Sequence, residues 1–131
     1  MANETTTDTA PVAWFEIGTD DPDQARAFYA ELFGWTYSEA PGGEYIFVTT
    51  GPDHPLPGGI QPTTLPLPEG TPRSYAVFYV LVPDVAAACD QVQEHGGKVL
   101  VPATTIPSGL VFAHVADPAG NHFGLFHPPG S

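Results

Sequence analysis

The residue with the most chemical potential is Glu16, an acid set inside the apolar run Trp14-Phe15-Glu16-Ile17. A carboxyl in the middle of a strand pattern is partly desolvated. Its pKa rises, and it becomes fit to act as a general acid or base. Tyr79 holds the matching place in a second apolar run, Ser74 to Val82 (SYAVFYVLV). His114 and His122 lie on strand patterns near the C-terminus and bring imidazoles that titrate close to neutrality. Two roles stand for Glu16: contact or proton exchange with a ligand, or acceptance of hydrogen bonds from Tyr79, a histidine or a backbone N–H. His114 and His122 divide in the same way, between ligand contacts and satisfied polar groups. His54 falls in a proline-rich loop, while His95, at a helix end, and His127, in a tail, read as exposed. Cys89 is the single cysteine, so no intrachain disulfide forms. It sits on the apolar stripe of a helix pattern and reads as inert core filler.

The charge balance narrows the partners. Fifteen acids face three Lys and Arg, a formal net charge of −12. Phosphate backbones and anionic membranes both need clustered basic residues, so nucleic acid and membrane surfaces are excluded. The field favours a neutral or cationic small molecule. No apolar run reaches membrane-spanning length. Met1 to Ala10 lacks the charged and apolar regions of a secretory signal, which makes a cytoplasmic protein the expectation. At 131 residues and 42% hydrophobic, the chain suits one domain with its own core.

Strand and helix patterns alternate in a set order. Val12 to Gly18 reads as a strand. Asp21-Pro22-Asp23-Gln24 is a helix start, with Asp21 as N-cap and Pro22 at the first helical position. Ala25, Phe28, Tyr29 and Leu32 then mark one buried helix face up to Gly34. Strands follow at Trp35 to Glu39, Glu44 to Thr50 and Gly58 to Gln61, and a proline-punctuated connector runs from Thr63 to Pro72. The order then recurs: strand Ser74 to Val82, a helix capped by Asp84 with the stripe Val85, Ala88, Cys89 and Val92, and strands Lys98 to Val101, Leu110 to Val115 and Asn121 to Phe126. Pro102 to Ser108 reads as a loop. A shift of 63 places Phe15 on Phe78, Asp21 on Asp84, Ala25 on Ala88, Glu31 on Glu94 and Gly34 on Gly97. A shift of 65 then places Phe47 on Phe112 and Gly59 on Gly124.

Two such halves resemble the paired βαβββ modules of the vicinal-oxygen-chelate superfamily, which includes glyoxalase I, extradiol dioxygenases and bleomycin-resistance proteins. The resemblance runs from Val12 to His127. It is carried by Asp21, Ala27-Phe28-Tyr29 and Leu32-Phe33-Gly34, and by the closing Asp117-Pro118-Ala119-Gly120-Asn121-His122 and Leu125. It implies an α+β fold of two tandem modules forming cupped mixed sheets around a cavity, with one domain over 12–127 (modules 12–62 and 74–127, linker 63–73) and tails at 1–11 and 128–131. Strand alternation then turns Phe15, Ile17, Phe78, Val80, Phe123 and Leu125 toward the helices. Trp14, Glu16, Phe47, Thr49, Val77, Tyr79, Phe112, His114, His122, Gly124 and Phe126 face the cup, with Gln61 near its rim.

Metal-dependent members resemble one another in placing His, Glu or Gln at up to four cup-facing positions, on the first and last strands of each module. Here those positions are Trp14, Gly59, Val77 and Gly124, none a donor to a divalent cation. Glu16, His114 and His122, with His54 on its loop, are what a displaced site would have to use. No metal ligand is therefore assigned, and no cofactor is expected. The reading is a small-molecule-binding protein with Trp14, Phe47, Gln61, Tyr79, Phe112, His114, His122 and Phe126 around an aromatic or planar ligand. The alternative is a lyase, isomerase or hydroxylase using Glu16 as proton shuttle, with or without a displaced metal. The resemblance also implies a homodimer.

Overall fold

The computed structural model describes residues 9–53 and 56–129, so His54, residues 1–8 of the first expected tail and 130–131 of the second lie outside the described residues. The chain forms β1 (Val12–Thr19), α1 (Pro22–Phe33), β2 (Thr36–Glu39), β3 (Ile46–Thr49) and β4 (Gly58–Pro62). It then repeats the order as β5 (Tyr75–Leu81), α2 (Val85–Glu94), β6 (Lys98–Thr105), β7 (Val111–Ala116) and β8 (His122–His127).

Local chemistry sets the helix ends. Asp21 Oδ1 accepts from the Gln24 backbone N–H at 3.1 Å, and Asp84 Oδ1 accepts from that of Ala87 at 3.0 Å. Gly34 closes α1 in the left-handed conformation, at φ 74°. The Asp117–Gly120 segment is a strand connector, in which Asp117 Oδ1 accepts from the backbone N–H groups of Ala119 and Asn121.

All eight strands join in one mixed sheet, in the order β2-β3-β4-β1-β5-β8-β7-β6. The two halves meet at the centre, where β1 and β5 run antiparallel with Trp14 opposite Tyr79 and Glu16 opposite Val77. Each half carries a core beneath its helix. One is built from Ile17, Ile46, Val48 and Ile60 against Ala25, Tyr29 and Trp35; the other from Val85, Cys89, Ala113, Val115 and Leu125. Among the described residues no helix covers the other sheet face, which, because side chains alternate, carries the neighbours of these core residues.

Two elements depart from the sequence reading. β6 continues to Thr105, through Pro102, where a loop was expected. It is an edge strand with register shifts, and there a missing N–H breaks no inner ladder. The expected buried stripe of α1 is only half buried. Ala25 and Tyr29 pack, with Tyr29 stacked on Trp35 at 4.9 Å, whereas Phe28, Leu32 and Phe33 are 55%, 58% and 60% exposed. The helix meets the sheet along one edge of its apolar stripe, and a groove of about 330 Å³ opens between Tyr29, Trp35, Phe15, Ile17, Ala76 and Phe78.

Candidate functional site

The centre of the helix-free face is a buried carboxylate ringed by phenols. Register brings them together. Glu16 on β1 lies opposite Gly59 on β4 and Val77 on β5, while Gly18 lies opposite Tyr75. Tyr45, just ahead of β3, reaches across Gly59. Glu16 Oε1 accepts from the Tyr45 hydroxyl at 2.8 Å; Oε2 accepts from those of Tyr75 at 2.6 Å and Tyr79 at 3.0 Å. Trp14 Nε1–H donates to the Tyr45 oxygen at 3.0 Å. A carboxylate only 8% exposed thus has both oxygens engaged.

The cluster extends into the second half. Tyr79 OH lies 3.4 Å from His114 Nε2, and His114 Nδ1 lies 2.7 Å from His122 Nε2. The Tyr75 ring sits edge-on to both imidazoles, at 5.4 and 5.2 Å. Around this polar line stand the aromatic side chains. Trp14, Tyr45 and Phe47 form one group, with centroids 5.6–6.5 Å apart. Phe126 meets Tyr79 at 6.1 Å, and Phe112 meets His114 at 5.7 Å.

Burial governs the ionisation. It raises the Glu16 pKa above the usual carboxylate value, and the hydrogen bonds from Tyr75, Tyr45 and Tyr79 oppose that rise only in part. Tyr45, Tyr75 and Tyr79 are all pushed up by desolvation and then by the neighbouring carboxylate. Burial, followed by the charge of His122, lowers His114 to about 4, and burial lowers His122 as well.

The predicted residues separate into groups. Glu16, Tyr79, His114 and His122 meet in one hydrogen-bonded line, and Trp14 joins it through Tyr45. Phe47, Phe112 and Phe126 flank it. Gln61 stands apart, its amide N–H donating to the Pro62 carbonyl at 3.0 Å. His127, expected to be exposed, is half-buried, with Nδ1 2.8 Å from the Val82 carbonyl oxygen. Trp35 packs in the first core. Tyr45 and Tyr75 belong to the cluster and were missed. The signal for them is the period of two: Tyr45 shares a face with Phe47, and Tyr75 with Val77 and Tyr79.

The two glycines where a metal donor would stand are covered. A Cβ on Gly59 would fall within the Tyr45 ring, and one on Gly124 within the Tyr79 ring. The residues present therefore do not fit a divalent cation at those positions. Among the described residues, no three His, Cys, Asp or Glu side chains gather as a metal set.

The sequence profile of the Glyoxalase/Bleomycin resistance protein/Dioxygenase superfamily matches residues 12–125. The chain belongs to that superfamily. It is 33% identical over 120 residues to CFP32 of Mycobacterium tuberculosis, whose name proposes a glyoxylase, covering 86% of this chain and 44% of that one. It is 30% identical over 122 residues to a glyoxylase-like domain-containing protein of Didymella fabae, covering 91% and 94%. The chain thus spans a little under half the length of CFP32 and nearly all of the Didymella protein. A superfamily member from Vibrio splendidus has a crystal structure that superposes with a TM-score of 0.57 at 18% identity, covering 92% of this chain and 99% of that one.

Proposed function

We propose that this chain binds a planar, neutral or cationic small molecule on the helix-free face, without a divalent metal. The observation that carries this reading is the Glu16 cluster. Its carboxylate is engaged by three tyrosines, and two of their rings cover Gly59 and Gly124. What the face offers a ligand is aromatic surface, from Trp14 and Phe47 on one side and Phe112 and Phe126 on the other. Ring faces near a buried carboxylate, in a chain of net charge −12, attract a delocalised cation by stacking and cation–π contact. Gln61 at the margin contributes a polar contact.

Titration with the planar cation acriflavine, followed by tryptophan fluorescence, tests the reading. Trp14→Phe separates the site from Trp35, which packs on the opposite face. Saturable quenching that is lost in Trp14→Phe is expected. Equal quenching in the variant, or stoichiometric divalent metal in protein purified without chelator, overturns the proposal.

A second reading rests on the raised pKa of Glu16. A carboxyl whose pKa is raised by burial is suited to proton transfer in a lyase, isomerase or hydroxylase. Because three tyrosines cover it, Tyr75, half-buried, is the group through which a substrate would exchange that proton. Once a turnover is found, an undiminished rate in Glu16→Gln rejects this reading.

A further inference from the structure

We propose that Tyr79, His114 and His122 form a proton relay linking buried Glu16 to the start of β8, with His122 as its port. The inference holds whichever molecule the face binds. Its basis is an unbroken line of exchangeable groups: Glu16 Oε2 to Tyr79 OH at 3.0 Å, Tyr79 OH to His114 Nε2 at 3.4 Å, and His114 Nδ1 to His122 Nε2 at 2.7 Å. Tyr79 and His114 are buried, whereas His122 is half-buried. The line crosses from the first half of the chain to the second.

Donor counting fixes its polarity. An ionised Glu16 only accepts, so Tyr79 donates to it. The Tyr79 oxygen then accepts from His114, whose proton sits on Nε2. His114 Nδ1 is left as an acceptor, filled by His122 Nε2–H, and His122 Nδ1 keeps its lone pair. A proton arriving at His122 Nδ1 reverses every link. His122 Nε2–H passes to His114 Nδ1, His114 Nε2–H to the Tyr79 oxygen, and the Tyr79 proton to Glu16. The product is neutral Glu16 donating to Tyr79, Tyr79 donating to His114 Nε2, and His114 Nδ1–H donating to His122 Nε2. One proton has entered and one carboxylate has been neutralised; no other charge changes.

The groups facing this line are Tyr45 and Tyr75 on the carboxylate and Tyr75 on both imidazoles. All three phenols of the cluster hold their protons well beyond neutrality, so Tyr79 passes a proton without ionising and Tyr45 and Tyr75 remain donors to Glu16. Burial, followed by the charge of His122, holds His114 well below its ordinary value, and burial lowers His122 too, so both imidazoles favour the neutral form that the relay needs.

The test reads tautomers in the free protein. Long-range proton–nitrogen correlation of histidine-labelled protein, from pH 3 to 8, reports which His114 nitrogen is protonated. Carbon-labelled glutamate, assigned by its loss in Glu16→Gln, reports the carboxyl. The expected result is His114 protonated on Nε2 while Glu16 is ionised and on Nδ1 once it is neutral, with one shared midpoint. In Tyr79→Phe, which keeps the ring over Gly124, the tautomer should no longer follow Glu16. A single His114 tautomer through the Glu16 titration, separate midpoints, or coupling that survives in Tyr79→Phe would overturn the relay. None of these readouts depends on a ligand or a turnover.

Discussion

Removing the Glu16 carboxylate leaves the buried Tyr79 and the half-buried Tyr45 and Tyr75 without their common acceptor. An unsatisfied buried group costs about 1–3 kcal/mol, so Glu16→Ala should lose about that much in urea unfolding. Glu16→Gln, which keeps one acceptor oxygen, should lose less. The pH response has two opposing parts. The raised Glu16 pKa contributes stability that is fully present below the unfolded value of 4.5 and fades as pH climbs through the folded value. His114, lowered from 6.5 to about 4, and His122, also lowered by burial, do the reverse: their contribution is present above 6.5 and is lost as pH falls through their folded values. Glu16→Gln removes the first part only. Its stability should therefore rise more steeply than that of the wild type between about pH 4 and 6.5; a parallel or shallower profile would contradict the burial of the carboxyl. At alkaline pH, Tyr45, Tyr75 and Tyr79 should escape ionisation past pH 10 and appear as tyrosinate, by ultraviolet absorbance, only as the fold is lost.

Strand alternation made much of this legible at the level of elements. Glu16, Tyr79, His114 and His122 were identifiable on one face because period two needs only the letters of each strand. Their connection was not legible. It depends on which residue of β1 lies opposite which residue of β5, and side-by-side placement of β5 with β8 is set by the whole sheet. Tyr45 shows the limit best. Its face follows from Phe47, but its reach over Gly59 needs the β3–β4 register, in which Phe47 pairs with Gly59. The exposed half of α1 was hidden for a related reason: helical period identifies an apolar stripe without saying how much of it the sheet is wide enough to cover. Because the rings rest on glycine, Gly59→Ala and Gly124→Ala should each destabilise by about 1–3 kcal/mol through overpacking, read by thermal unfolding. A neutral effect at either site would mean that the ring above it moves aside freely.

At the scale of the molecule, the two halves are unequally finished. α2 buries Val85 and Cys89, but α1 buries no residue fully, and Phe28, Leu32, Phe33 and the 46%-exposed Phe78 remain on the helix side. We propose that a second copy covers this face, in keeping with the homodimer implied by the resemblance. The like charge of two acidic copies opposes their approach and is screened by salt. Light scattering after gel filtration should show a dimer that strengthens with salt and is lost in Leu32→Glu; a monomer at all concentrations would remove the proposal. With tyrosine rings over Gly59 and Gly124, a donor side chain can enter at Gly59 only if Tyr45 leaves first, and its departure strips Glu16 of a hydrogen bond. Gly124 is bound to Tyr79 in the same way. Neither order of single substitutions is neutral, so the two positions resist conversion to metal donors one residue at a time.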